Sequence, residues 1–284
     1  MSALSEFPVA TMAATPVSER PIGVFDSGVG GLTVVSAIQR LLPHEDIVYL
    51  GDTARVPYGN KSPETIIRYA QQDVQFLQSQ NIKAAVVACN TATAHALDAV
   101  RQSYTFPILG VVEPGVEAAL AATVNGRIGI IGTMGTIQSG AYQKALLARR
   151  PELQLTAQAT PLLVSLVEED WLTHAATHLI LAEYLAPLQA ARIDTLVLAC
   201  THYPLLKGII RSILGDEVKL VDSAENMALA LQSRLKQDSL LREGGQHAGR
   251  TRIHVSDLSP HFAPLAKRFL GGRVGAIDRV RLEN

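Results

Sequence analysis

The chain has two cysteines, Cys89 and Cys200, and each stands at the end of an apolar run. Polar residues follow directly, beginning with Asn90 in the first case and Thr201 in the second. An apolar run that stops at small and polar residues and then turns helical is typical of a buried parallel strand, whose carboxyl end opens into a crevice. Two thiols in equivalent settings 111 residues apart therefore predict one site built from two similar halves.

Two thiols that face one ligand from opposite sides have the chemistry to invert a stereocentre. One removes a proton from a carbon atom while the other supplies a proton to the opposite face, whereas a single base returns the proton to the side it came from. Both cysteines are predicted to lie where a helix begins, and a helix N-terminus lowers a thiol pKa. His202 is a candidate to assist Cys200, and Asp26 to assist Cys89.

Other roles for the cysteines stay open at this point. Buried thiols are often purely structural, and a disulfide is disfavoured in a reducing compartment. A zinc site would have Cys89, Cys200 and His202 as three ligands, but the Cys-x-x-Cys spacing of structural zinc sites is missing. Reactive thiols fit the two positions best, and no metal site is predicted.

The segment from Asp26 to Thr33 follows a predicted strand and opens a predicted helix. Its glycines permit a tight turn, and the free N–H groups of a helix start bind anions. Because it matches neither the dinucleotide fingerprint nor a Walker loop, it predicts a small-anion cradle with a carboxylate at its edge. A purely structural turn would explain the glycines equally well but would not explain Asp26. Short hydroxyl and amide side chains at the other strand ends suit a small zwitterionic substrate: Asn90, Thr91, Thr133, Thr136 and Thr201.

Composition indicates an α/β protein, and two cysteines without a secretory signal indicate reduced thiols in the cytoplasm. The 284 residues carry a net charge of -1, so no nucleic-acid surface is predicted. A hydrophobic content of 48% with 5% aromatic residues fits an α/β protein rich in Ala, Val, Leu and Ile. Residues 1–20 resemble a loose tail rather than a signal peptide. Since a membrane helix needs about 18 consecutive apolar residues, no membrane partner is expected.

Strand-like and helical patterns alternate along the chain, which predicts parallel sheets covered by helices. The strand-like runs are Pro21–Phe25, Ile47–Leu50, Ala84–Ala88, Ile108–Val112, Ile128–Ile131, Leu155–Ala159, Thr195–Ala199, Lys219–Val221 and Arg252–Val255. The helical patterns are Leu32–Leu42, Pro63–Gln80, Ala92–Tyr104, Gly115–Thr123, Ser139–Arg149, Leu162–Glu168, His174–Gln189, Leu205–Leu214, Ala224–Lys236 and Pro260–Leu270.

The two halves of the chain echo each other in the same order. Ile22–Gly28 matches Ile128–Met134 at an offset of 106, Cys89 matches Cys200 at 111, and Val112–Gly115 matches Val221–Ala224 at 109. The alternative is that all α/β strand ends look alike. We expect two pseudo-symmetric open parallel-sheet α/β domains, with the active site in the interdomain cleft.

Six segments between about Pro21 and Gly271 carry a resemblance to a known family: Ile22–Leu32, Gly51–Thr53, Val56–Gly59, Ala88–Ala92, Ile130–Thr133 and Ala199–Leu205. In this order they resemble glutamate racemase, of the cofactor-independent aspartate/glutamate racemase family. The resemblance implies direct interconversion of L- and D-glutamate, without pyridoxal phosphate or another cofactor, to supply D-glutamate for peptidoglycan.

The resemblance also implies roles for individual residues. Cys89 would exchange the α-proton with D-glutamate and Cys200 with L-glutamate, assisted by Asp26 and His202, with Glu168 as a further carboxylate near Cys200. Asp26 and His202 also count among the substrate-binding positions, together with Ser27, Pro57, Tyr58, Gly59, Asn90, Thr91, Thr133, Thr136 and Thr201.

In such racemases the chain leaves the first domain, completes the second and returns. The resemblance thus implies a first domain of residues 21–113 plus 224–284, a second of 114–223, and a homodimer. It leaves open whether a peptidoglycan nucleotide precursor is required as an activator. Members that need one carry an N-terminal extension, as this chain does, but Val112–Gly115 resembles members that do not.

Two alternative functions are kept. The substrate of a related racemase would be aspartate or another small amino acid, because the sequence does not show the depth of the pocket. A non-catalytic amino-acid-binding protein that closes its two lobes would need the polar residues of the cleft but not two thiols.

Overall fold

The computed structural model describes residues 15–245, 247–272 and 274–282. Its strands are β1 (Ile22–Asp26), β2 (Ile47–Gly51), β3 (Ala84–Val87), β4 (Ile108–Gly110), β5 (Arg127–Gly132), β6 (Gln154–Ala159), β7 (Thr195–Ala199), β8 (Lys219–Asp222), β9 (Thr251–Val255) and β10 (Ile277–Arg279). Its α-helices are α1 (Leu32–Leu41), α2 (Pro63–Ser79), α3 (Asn90–Arg101), α4 (Val112–Ala122), α5 (Met134–Ser139), α6 (Ala141–Arg149), α7 (Leu163–Glu168), α8 (Ala175–Ala190), α9 (Lys207–Leu214), α10 (Ser223–Gln237) and α11 (Phe262–Leu270).

The strands form two parallel sheets that share one topology. The first has the order β10-β9-β2-β1-β3-β4 and the second the order β6-β5-β7-β8. Because β2-β1-β3-β4 and β6-β5-β7-β8 are the same arrangement, the second sheet repeats the middle and one edge of the first. The predicted fold class, two pseudo-symmetric parallel-sheet α/β units, is confirmed.

Burial explains why these strands read as continuous apolar runs. Every residue of β1, β2 and β7 is buried, as expected where helices cover both faces of a parallel sheet. One apolar cluster contains residues of both sheets, among them Val24 of β1 and Leu198 of β7. The two units are therefore joined by a common core beside the cleft.

Four features differ from the expected elements. Val112 begins α4 instead of ending β4. The helix expected over Ser139–Arg149 is α6, which begins at Ala141, and the short helix α5 before it was not expected. Gly140, with a φ of 68°, caps α5 and separates the two helices. The strand β10 was not expected. The third sequence echo is also misaligned, since pairing places Gly110 beside Val87 and Asp222 beside Leu198.

The chain returns to the first sheet after completing the second, because β9 and β10 pair beside β2. The expected tail of residues 1–20 differs at its end: Val17–Glu19 forms a 3-10 turn, and the ammonium group of Lys83 donates to the carbonyl oxygen of Ser18 at 2.6 Å. Residues 1–14 lie outside the described part of the chain. None of the helices in the described ranges is long and apolar enough to cross a bilayer.

Candidate active site

A narrow cleft with a cavity volume of about 40 Å³ lies where the carboxyl ends of β1, β3, β5 and β7 meet. Both cysteines line it, Cys89 just after β3 and Cys200 just after β7. The other predicted site residues on its wall are Ser27, Pro57, Tyr58, Gly59, Asn90, Thr91, Thr133, Thr201 and His202. The folded chain thus brings most of the predicted residues to one place.

Three predicted residues are not on the wall of the cleft but contact residues that are. Asp26 is buried, accepts a hydrogen bond from the Gly28 N–H at 3.0 Å, and lies 3.4 Å from the hydroxyl of Thr201. The hydroxyl of Thr136 lies 3.1 Å from that of Thr91, and Oε1 of Glu168 lies 2.9 Å from Nε2 of His202. These three residues are therefore placed to support the cleft rather than to form its surface.

The Cys89 thiol is almost fully buried and caps the N-terminus of α3. It accepts a hydrogen bond from the Ala92 N–H at 3.4 Å and lies 3.7 Å from the Ser27 hydroxyl. Burial, together with the nearby Asp26 carboxylate, raises the pKa of Cys89 to about 12. The Ala92 N–H at the helix start lowers this pKa, as expected, but loss of hydration outweighs it, so the expected net lowering is wrong. Cys89 is a neutral thiol in this state.

The Cys200 thiol has a different neighbourhood. The expected helix start is not at Cys200: a 3-10 turn begins three residues later, at Tyr203, and α9 follows. The partner of the thiol is instead His202, whose Nδ1 lies 3.9 Å from Sγ. The opposite ring nitrogen, Nε2, lies 2.9 Å from Oε1 of Glu168.

Charge at His202 follows from these two contacts. Burial lowers the pKa of His202, but its hydrogen bonds to Cys200 and Glu168 outweigh burial and raise it to about 10. His202 is therefore an imidazolium at neutral pH. A cation beside Cys200 stabilises negative charge on that sulfur, so the two sides of the cleft differ in electrostatics although they are topologically equivalent.

Three hydroxyl groups connect the two units at the cleft. Thr91 lies at the start of α3, and Thr133 caps α5. Their Oγ1 atoms are 2.8 Å apart, and the Oγ1 of Thr136 lies 3.1 Å from that of Thr91 and 3.0 Å from that of Thr133. Such a cluster offers hydroxyl donors and acceptors to a carboxylate without adding charge.

The amide of Asn90 is already engaged within the protein. Its Oδ1 accepts a hydrogen bond from the Tyr142 hydroxyl at 2.7 Å, and its Nδ2 lies 3.4 Å from the Ser223 hydroxyl. Asn90 consequently lies at the cleft in a fixed orientation.

The hydroxyl of Tyr58 is directed at two buried carboxylates, Asp52 and Asp73, which Arg55 bridges. Burial and Asp52 raise the pKa of Asp73 well above its ordinary value. Gly59 follows Tyr58 and packs so closely on Thr133 that an added Cβ would lie 2.9 Å from the Thr133 Cβ. The network of the Tyr58 hydroxyl with Asp52 and Asp73, together with the packing of Gly59 on Thr133, therefore fixes the loop that lines this edge of the cleft.

Both cysteines are free thiols. Across residues 15–245, 247–272 and 274–282, no three His, Cys, Asp or Glu side chains are grouped as metal ligands. The disulfide interpretation is thus wrong, and nothing in the described residues supports the zinc interpretation.

Comparison with known proteins identifies the group to which the chain is related. The family model described as Asp/Glu/hydantoin racemase matches residues 22–231. This chain belongs to the Asp/Glu/hydantoin racemase family. It is an amino-acid racemase, and the resemblance to glutamate racemase is confirmed.

Three proteins show how far the likeness to this racemase extends. Glutamate racemase of Geobacter metallireducens is 50% identical over 93% of this chain and 97% of its own length. The structure of the Francisella tularensis glutamate racemase in complex with D-glutamate is 37% identical, with a TM-score of 0.88 over 94% of this chain and 99% of that one. The structure of the Escherichia coli glutamate racemase in complex with L-glutamate and the activator UDP-MurNAc-Ala is 28% identical, with a TM-score of 0.76 over 93% and 100%.

Sequence reasoning missed several residues of the racemase cleft. Val56, Val164 and Ala199 also line it. The carboxylates of Asp52 and Asp73 lie behind its loop, as described above. Asp52 belongs to one of the six resembling segments, so its position there was the available signal, whereas Asp73 lies within an ordinary helical pattern and carried none.

Proposed function

We propose that this racemase interconverts L-glutamate and D-glutamate by moving the α-proton between the substrate and two cysteines, Cys89 and Cys200. The observation that carries the proposal is that both thiols line one cleft from corresponding strands, β3 and β7, of two equivalent sheets. Glutamate is chosen as substrate because the similar racemases of F. tularensis and E. coli bind D- and L-glutamate.

Proton transfer between the two faces requires that one cysteine acts as the base and the other as the acid. With L-glutamate bound, the Cys200 thiolate takes the α-proton, and the electron pair of the C–H bond moves onto the α-carbon and its carboxylate. The Cys89 S–H bond then breaks as its proton joins the opposite face of the α-carbon. Cys200 ends as a thiol and Cys89 as a thiolate, and the reverse reaction exchanges these roles. The neutral Cys89 and the His202 imidazolium beside Cys200 suit this order.

The main barrier is the weak acidity of a proton beside an ionised carboxylate. Hydrogen-bond donors fixed in a water-poor cleft stabilise the charge that develops there. The hydroxyls of Ser27, Thr91, Thr133 and Thr201 line the cleft and are placed to do this. Asp26 and Glu168 do not line the cleft. We assign them to the support of Cys89 and of His202, respectively.

The biological role follows from the product. We propose that the enzyme supplies D-glutamate for peptidoglycan synthesis in the cytoplasm and that it works as a homodimer. We also propose a first domain of residues 21–113 plus 224–284 and a second domain of residues 114–223. The sheet membership of β9 and β10 supports this map, since the C-terminal strands pair with the first sheet.

The proposal is tested by incubating the purified protein with L-glutamate, without added cofactor, and separating the enantiomers by chiral chromatography. Equal amounts of L- and D-glutamate at equilibrium are expected. Parallel samples contain L-aspartate and L-alanine, and each is run with and without UDP-MurNAc-Ala, the activator of the E. coli enzyme. Faster racemisation of aspartate than of glutamate would overturn the assignment of glutamate as the substrate. Glutamate binding without turnover in every sample would favour the binding-protein alternative.

A further inference from the structure

The C-terminal helix α11 joins the two units of the molecule beside Cys200. In the chain it connects β9 to β10 of the first sheet. The hydroxyl of Ser36 in α1 donates to its last carbonyl, that of Leu270, at 3.3 Å. The last turn of α11 also contacts α7, the short helix that carries Glu168 and precedes β7 of the second sheet. One helix thus bridges from the first unit to a residue assigned above to the Cys200 side.

Arg268 in this last turn makes two contacts that flank Glu168. Its Nη1 donates to the carbonyl oxygen of Val167 at 3.2 Å, and its Nη2 lies 2.7 Å from Oδ2 of Asp170. Carbonyls in the last turn of a helix lack intrahelical partners, and a cation is favourable there. Because the anchor points lie on both sides of Glu168 in the chain, the backbone of Glu168 is held from both directions.

The next residue, Phe269, contacts the other member of the pair. The edge-to-face arrangement of its ring with the His202 imidazole has a centroid distance of 5.1 Å and an interplanar angle of 77°. Both rings are buried. Adjacent residues of one helix therefore contact the segment of Glu168 and the ring of His202. These two side chains contact each other through Oε1 of Glu168 and Nε2 of His202.

We propose that Arg268 and Phe269 are positioning residues for proton transfer at Cys200: Arg268 fixes Glu168, and Phe269 fixes the ring of His202. Neither lines the cleft, so both act through the His202–Glu168 pair. This inference rests on the proposed function. Cys89 depends on other partners, Ser27 and Ala92, and the effect is therefore confined to one of the two thiols.

A defect on one side of a racemase has a specific kinetic signature. Since the equilibrium constant between enantiomers is fixed, kcat/KM changes equally in both directions. The kinetic isotope effects measured with the two α-deuterated enantiomers, in contrast, do not change equally. Slower transfer by Cys200 makes removal of the α-proton from L-glutamate more rate-limiting, so the isotope effect with α-deuterated L-glutamate rises while that with α-deuterated D-glutamate does not.

The test compares Arg268→Ala with Arg40→Ala, which removes an exposed arginine of α1 whose carboxylate partner is 4.0 Å away. Arg268→Ala is expected to lower kcat about tenfold to a hundredfold and to raise only the isotope effect with L-glutamate. Arg268→Lys keeps the charge and one contact and should recover part of the rate. The nitrogen-15 shifts of His202 are expected to change in Arg268→Ala and to stay as in the wild type in Arg40→Ala.

A less stable Arg268→Ala protein with wild-type isotope effects and wild-type His202 shifts would overturn the proposal, because the contact would then be purely structural. If Arg268→Ala does not fold, Arg268→Lys and Phe269→Leu provide the same two measurements. A wild-type protein that does not racemise glutamate would instead refute the proposed function, and the His202 shifts would still decide whether Arg268 positions the pair.

Discussion

The imidazole Nε2 of His202 lies 2.9 Å from the carboxylate Oε1 of Glu168, although the two residues are 34 positions apart. The other ring nitrogen faces the sulfur of Cys200. A buried ring held between a carboxylate and a thiol is charged at neutral pH, and its charge is what distinguishes the Cys200 side of the cleft from the Cys89 side.

Glu168→Gln keeps the size and hydrogen bonding of the side chain but removes its charge. We expect the pKa of His202 to fall from about 10 towards its ordinary value. A charge-assisted hydrogen bond contributes about 1.5–3 kcal/mol, so glutamate turnover should fall at least about tenfold. The pKa is measured by NMR titration of His202, with the exposed neighbour Glu169→Gln as control. An unchanged titration would show that Glu168 does not set this charge.

The stability of the protein should depend on pH through His202. Its pKa is about 10 in the folded state against about 6.5 when unfolded, so the folded state binds the extra proton. The stabilisation is complete below about pH 6.5 and is lost as the pH rises through about 10. Compared with His202→Gln, the wild type should lose about 2 kcal/mol of its free energy of unfolding over this window. This is less than the full pKa shift would give, because water at the partly exposed Glu168 screens the pair. Urea unfolding at several pH values measures the difference; a constant gap would contradict the assignment.

Gly30→Ala should disrupt the Cys200 side without touching either thiol. An added Cβ at Gly30 would lie 2.2 Å from Oγ1 of Thr201 and 2.5 Å from Nδ1 of His202. Both groups must move, and misplacement of about 1 Å in an active site costs about a hundredfold in rate. Gly208→Ala is the control, because nothing lies within 4 Å of its added Cβ. Steady-state turnover separates the two, and equal activities would show that the position of His202 is not critical.

Tyr58→Phe should loosen the loop that carries Gly59. It removes the hydroxyl from the buried carboxylates of Asp52 and Asp73, and an unpaired buried group costs about 1–3 kcal/mol. We expect a stability loss of that size in urea unfolding and a raised KM for glutamate. Tyr104→Phe serves as control, since that hydroxyl makes a weaker, more exposed contact. Wild-type values of both quantities in Tyr58→Phe would contradict the role of the network.

Much of the fold was visible in the sequence because parallel strands buried on both faces are continuous apolar runs. Thr195–Ala199 was predicted with the bounds that the structure has. The strand β10 was missed because only one of its three residues, Ile277, is apolar and it lies at the edge of the sheet. Helix α5 was missed because it has six residues and shows too little periodicity to be seen.

The site was predictable to a lesser degree. The two cysteines were found because each follows its strand directly, a local feature of the sequence. Glu168 would have appeared as an exposed charge at a helix end, and only the resemblance to a family assigned it to the Cys200 side. The contacts of Arg268 join residues about a hundred positions apart, a separation at which sequence spacing carries no information on contact.

The most direct test of the two-thiol mechanism is racemisation of L-glutamate in deuterated water by the wild type, Cys89→Ala and Cys200→Ala. The wild type should form D-glutamate that carries deuterium at the α-carbon, because the incoming proton comes from a thiol that exchanges with solvent. Each variant lacks one of the two acid–base groups and should form no D-glutamate, while its urea unfolding shows that it is folded. Racemisation by either folded variant, or D-glutamate that retains its original α-hydrogen throughout, would contradict the mechanism.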